Sequence, residues 1–126
     1  MGEVAEFESK LRKAFHELAL KTNQTNDQLE EVRHSKNIME QNIKVAEIAK
    51  EEVQKLDPER SVYHSIGGIF VYRKHQEEID DQQKDIDSYK KRIEELEKQR
   101  EYLQKNLTDA QKNLREMVQQ SRVAKA

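Results

Sequence analysis

The 126-residue chain has no cysteine and no tryptophan, one proline, three glycines, and an aromatic content of only 6%. Without cysteine there is no disulfide framework and no thiolate chemistry. With so little proline and glycine, few positions interrupt a helix. Apolar residues make up 34% of the chain and charged residues 38%. That is too little apolar material for a thick core, and leaves either disorder or long helices sharing a narrow seam. No apolar run approaches the ~20 residues that span a bilayer. No excess of one charge exists either: 23 Lys and Arg interleave with 25 Asp and Glu for a net charge of −2, whereas nucleic-acid binding favours a basic stripe. Met1-Gly2-Glu3-Val4-Ala5-Glu6 lacks the basic and then apolar regions of a secretory signal. Glu6 also stands where a myristoylation signal wants Ser or Thr. The expectation is a soluble cytosolic protein with no membrane or nucleic-acid partner, in which the N-x-T sequons at Asn23 and Asn106 are accidental.

The features of an enzyme are missing too. His16, His34, His64 and His75 are scattered without metal-ligand spacing. Gly67-Gly68 lacks the Lys and Ser or Thr of a phosphate-binding loop. A pair of helices also offers no concave pocket for the many carboxylates to line. No catalysis, cofactor or metal is expected.

Periodicity decides between disorder and helix. From Glu3 to Lys55 there is no Gly or Pro. Alternating steps of three and four trace a seam through Leu11, Phe15, Leu18, Thr22, Thr25, Leu29, Val32, Lys36, Met39, Ile43, Ala46, Lys50 and Val53. A second seam runs through Ile79, Gln82, Ile86, Tyr89, Ile93, Leu96, Arg100, Leu103, Leu107, Ala110, Leu114 and Met117. Several such heptads with charged flanks predict coiled coil. If the chain folds back antiparallel, facing residue numbers have a constant sum. A sum of 132 aligns Phe15 with Met117, Leu18 with Leu114, Met39 with Ile93 and Val53 with Ile79, without breaking phase. A slip of one heptad keeps phase equally well. In this register Val32 meets Arg100, Lys36 meets Leu96 and Lys50 meets Gln82. There the long basic side chains lay their stems along the seam and help to set register.

Between the helices the chemistry changes. Asp57-Pro58 ends the first helix, because proline lacks a donor and disfavours helical geometry in the residue before it. Two β-favouring runs, Ser61 to Ile66 and Ile69 to Arg73, surround Gly67-Gly68. Glycine supplies the positive φ of a tight hairpin turn. An isolated two-stranded hairpin is marginal in water. Ile69 and Val71 face one way while Phe70 and Tyr72 face the other, so both faces are apolar, and unpaired strand edges invite association. The hairpin therefore needs strands that this chain does not possess. Val62, Tyr63, Ile66, Gly67, Gly68, Ile69, Phe70, Val71 and Tyr72 are the predicted oligomerisation residues. The fold class is mainly α: a long antiparallel two-helix coiled coil joined by a single central β-hairpin. It forms one domain over 1–126, with helices over 3–55 and 76–121 and the hairpin over 61–73.

A helix, one hairpin and a second helix packed back on the first resembles the beta-type subunits of prefoldin; alpha-type subunits carry two hairpins. Val62-Tyr63-His64-Ser65-Ile66-Gly67-Gly68-Ile69-Phe70-Val71 looks like the family's hairpin. Lys13-Ala14-Phe15-His16-Glu17-Leu18, Tyr102-Leu103 and Asn113-Leu114-Arg115-Glu116-Met117-Val118 look most like eukaryotic prefoldin subunit 1. The resemblance covers nearly the whole chain. It implies a hexamer of two alpha-type and four beta-type subunits whose hairpins build a double β-barrel, with coiled-coil arms around a cavity. It further implies nucleotide-independent capture of nonnative polypeptides, notably actin and tubulin, and their transfer to the cytosolic group II chaperonin. The implied location is the cytoplasm, with nuclear presence allowed.

The antiparallel arrangement brings both termini to one end of the coil, where Leu11 faces Ser121 and Val4 has no partner. Val4, Phe7, Leu11, Phe15, Met117, Val118 and Val123 are the predicted client-binding residues. Exposed apolar groups mark binding sites, Met and Phe suit unselective contact, and several arms acting together supply avidity. Two other readings compete: a structural coiled-coil scaffold, which leaves the hairpin unexplained, and a prefoldin-like subunit of another assembly.

Overall fold

Two helices of 53 and 51 residues flank two strands of five residues each. The computed structural model describes residues 2–125. The elements are α1 (Gly2–Gln54), β1 (Val62–Ile66), β2 (Ile69–Arg73) and α2 (His75–Lys125). The second helix runs four residues beyond the expected end at 121, since Arg122 to Lys125 includes no helix breaker.

The helix ends follow from local chemistry. Lys55 N–H donates to Glu51 O, but Leu56 N–H reaches only back to Val53 O, at 3.1 Å. The last turn of α1 thus tightens to an i−3 bond. The Asp57 carbonyl then accepts from Arg60 N–H, and its carboxylate accepts from Glu59 N–H at 3.0 Å. This is an Asx turn built around Pro58. The Lys55 ammonium, hydrogen-bonded to Glu52 and close to the charges of Glu52 and Glu51, is held above the ordinary lysine range. At the start of α2 the Glu77 carboxylate reaches back to accept from Lys74 N–H at 3.3 Å, one half of a capping box.

His75 joins the two helix ends. Its Nε2–H donates to Val53 O at 2.6 Å, serving a carbonyl in the last turn of α1, where helix bonding runs out. Because that carbonyl also accepts from Leu56 N–H, His75→Ala is expected to lower stability by only about 1 kcal/mol. Urea unfolding followed by circular dichroism would show a slightly lower midpoint with an unchanged slope.

Contacts divide the chain into two compact units. The terminal unit pairs the residues up to Arg33 with those from Glu97 onward; the hairpin unit comprises His34–Leu96. In the terminal unit Thr25, Val32, Leu107, Leu114 and Ser121 are buried. In the hairpin unit the buried residues are Ala46, Val62, Glu78, Ile86 and Leu96. Each core is one seam wide, and Leu96 and Ile86, both in the hairpin unit, are the described large side chains that are almost wholly covered.

The seam is close to the one expected. Every predicted seam position is buried or half-buried except Phe15 and Arg100. Leu18 and Leu114 line one cleft together with Ala14 and Met117, which selects the sum of 132 over a one-heptad slip in the terminal unit. In the hairpin unit Lys50 Nζ donates to Gln83 Oε1 at 2.6 Å, one residue beyond the expected Gln82. Phe15 is a correction: it is 51% exposed, and Ala14 turns inward instead. From Leu11 through Ala14 and Leu18 to Thr22 the steps are three, four and four. That spacing repeats over eleven residues, closer to the natural pitch of a straight helix. Arg100 is the second correction. Its guanidinium pairs with Glu97 on its own helix, at 3.1 Å, and stands half in solvent.

Candidate functional site

The hairpin has the expected turn. Gly67 and Gly68 adopt φ of +52° and +87°, the double positive φ of a two-residue type I′ connection. The antiparallel register pairs Ile66 with Ile69, Ser65 with Phe70, His64 with Val71, Tyr63 with Tyr72 and Val62 with Arg73. Alternation along each strand then sorts the side chains into two faces.

On one face stand Tyr63, Ser65, Phe70 and Tyr72, all exposed. Tyr63 and Tyr72 meet edge to face with ring centroids 6.1 Å apart, and Phe70 is 75% exposed. On the other face exposure grades from tip to root. Ile66 and Ile69 are open, whereas Val62 is buried. Val62 is thus the one member of the predicted oligomerisation group that turns into its own unit. The described sheet contains two strands, β1 beside β2, so each strand has an outer edge unpaired within this chain.

Polar contacts fix the root of the hairpin. The His64 ring donates from Nδ1 to Glu78 Oε1 at 3.1 Å, and Gln82 Nε2 donates to the same oxygen at 2.9 Å. Glu78 is only 5% exposed. Arg73 forms an ion pair with Asp81. None of these four charged or titratable residues is distinguishable by sequence from the solvated charges around it. For Glu78 and Asp81 alone, placement on the first two turns of α2 just after the hairpin was a hint.

At the terminal unit the other predicted group is split. Val4, Phe15 and Val123 are exposed, while Phe7, Leu11, Met117 and Val118 are half-buried. Phe7 lies in phase with the seam rather than beside it, because the drift at Ala14 carries the seam back onto Leu11 and Phe7. Val118 and Val123 line a shallow groove with Arg115 and Arg122, so this end mixes apolar surface with cationic groups. Sequence reasoning passed over another set. Leu20, Ile38, Val45 and Ile48 lie off the seam and are exposed. Their apolar character within a polar helix face was the available signal.

Among the described residues no three His, Asp or Glu side chains are grouped as a metal site requires. No helix among them is long and apolar enough to cross a membrane.

Comparison with known proteins agrees with this architecture. A family model described as prefoldin subunit matches residues 16–121. No curated protein sequence matches the chain. Among solved structures, the prefoldin beta subunit from Thermococcus strain KS-1 superposes with a TM-score of 0.70 at 19% identity, covering 85% of this chain and 90% of that one. The prefoldin beta2 subunit from the same strain gives a TM-score of 0.62 at 23% identity, over 72% of this chain and 97% of that one. At these identities the superpositions establish the fold, two long helices with a central two-stranded antiparallel hairpin. The family match extends over most of the sequence, and the chain belongs to the prefoldin subunit family.

Proposed function

We propose that the chain is a beta-type subunit of a heterohexameric prefoldin, most like eukaryotic subunit 1, and that it acts as a nucleotide-independent holdase. The observation that carries this reading is the single hairpin, which displays Tyr63, Phe70 and Tyr72 on an open face beside unpaired strand edges. Large exposed aromatic side chains next to free backbone donors and acceptors suit β-augmentation by strands of other subunits. Two alpha-type and three further beta-type subunits would complete the assembly. Nonnative polypeptides, with actin and tubulin as the expected clients, would meet the apolar groups of the terminal unit and pass to the group II chaperonin in the cytoplasm.

The test is capture from cytosol with the original chain and with a Phe70→Ser, Tyr72→Ser variant, read by mass spectrometry. Recovery of five other small coiled-coil subunits with the original chain, and their loss with the variant, is the expected result. Recovery of the chain alone, equally with both forms, would leave a helical scaffold. Recovery of a different set of partners would place the subunit in another assembly.

A further inference from the structure

We propose that His64, Arg73, Glu78 and Asp81 form a clasp that fixes the direction in which the hairpin leaves α2, and hence which strand edges a partner subunit meets. The inference rests on the reading of the hairpin as an assembly element and names the residues that aim it. These are positioning residues, distinct from the aromatic side chains that would make the contact.

The need for such a device follows from the connections. Residues 55–61 separate α1 from β1, whereas Lys74 alone separates β2 from α2. A one-residue joint has two soft backbone dihedrals. Glu77 and the Glu78 N–H bind Lys74 from the helix side, which leaves contacts from the strands to complete its geometry. Val62, buried at the root, supplies an apolar anchor but no directional bond. The clasp supplies direction. His64 of β1 and Arg73 of β2 lie on the same face of the hairpin. Glu78 and Asp81 lie three residues apart on one face of α2. His64 engages Glu78 and Arg73 engages Asp81, so each strand is tied separately to the same helix. Two ties at different points along α2 prevent the swivel that one would allow.

The chemistry favours a positioning role over simple stabilisation. A buried carboxylate is costly unless fully paired, and Glu78 Oε2 is buried with no hydrogen-bond partner. Arg73 Nε is buried and unpartnered as well. Each of the two pairs thus leaves one buried polar atom unsatisfied, a donor on the hairpin and an acceptor on the helix. Apolar side chains at these positions would hold the elements together more cheaply, but in no particular direction. The neighbouring charges are committed elsewhere: Glu77 to Lys74 N–H and Lys50 to Gln83.

The test uses charge reversal at the Arg73–Asp81 pair. Arg73→Asp, Asp81→Arg and the double reversal are each co-expressed with alpha-type prefoldin subunits and examined by native mass spectrometry. Hydrogen exchange over residues 62–73 is followed in parallel on the chain alone. Each single reversal is expected to reduce complex at fixed subunit concentration on the order of tenfold or more and to speed exchange at the hairpin, with helical content unchanged. The double reversal is expected to restore most of both. Single variants that assemble like the original would overturn the proposal. So would a double variant whose hairpin exchange recovers while its assembly does not. Failure of the underlying reading looks different: the Phe70→Ser, Tyr72→Ser variant would then assemble normally, whatever the clasp variants do.

Discussion

Leu96→Ala is expected to destabilise the chain by about 3 kcal/mol, within the range for large-to-small changes at buried aliphatic positions. Leu96 is 2% exposed and is the most completely covered large side chain in the hairpin unit. A seam one residue wide has no second layer that can collapse into the space, so the loss combines the removed burial with an unfilled cavity. For a chain of this size the melting temperature should fall by roughly 10 °C. Arg100→Ala is the matched control. It sits four residues further along the same helix, at the next seam position by periodicity, yet it is exposed and pairs with Glu97. Its effect should stay within about 0.5 kcal/mol, as at an ordinary surface site. Thermal unfolding of both variants by circular dichroism would check the contrast. Equal effects would mean that Arg100 does lie in the seam.

Gly68→Val is expected to open the hairpin while leaving both helices formed. Gly68 has φ of +87°, and a Cβ there would meet nothing within 4 Å. The cost is therefore backbone strain alone, about 2 kcal/mol for a β-branched residue held at positive φ. A two-stranded sheet has little stability in reserve, so a change that a large domain would absorb is enough here. Gly67→Asn should be mild by comparison. Gly67 has φ of +52°, a left-handed value that Asn accepts in this turn type. Amide exchange over residues 62–73 would separate the two variants, fast in Gly68→Val and close to the original in Gly67→Asn. The same Gly68→Val variant should lose subunit capture, because its outward aromatic residues would no longer share one face.

Much of this was legible in the residues. The glycine- and proline-free stretches with alternating steps of three and four specified two helices and a seam. The Gly67-Gly68 pair between β-favouring runs specified one tight hairpin and its register. These are local features, determined by backbone allowance and by the period of the apolar pattern, and they need no knowledge of what lies opposite. Leu20, Ile38, Val45 and Ile48, exposed off the seam, also depart from that pattern, although tracing the seams alone passes over them.

Where adjacent residues compete, the tertiary structure decided. Phe15 is the more apolar neighbour and fits strict alternation. Ala14 nevertheless turns inward, because the helix keeps near its natural pitch between Leu11 and Thr22 and the seam drifts by one position. Arg100 occupies a seam position by count but finds Glu97 on its own helix, which a long flexible cation reaches without leaving water. Alternation along the strands told which hairpin residues share a face, but not which face meets the helices. Burial of Val62 and the pairs His64–Glu78 and Arg73–Asp81 made that choice. Each depends on the angle at Lys74, where the local capping bond from Glu77 starts the helix but does not set how the strands lie against it; the packed structure selects that.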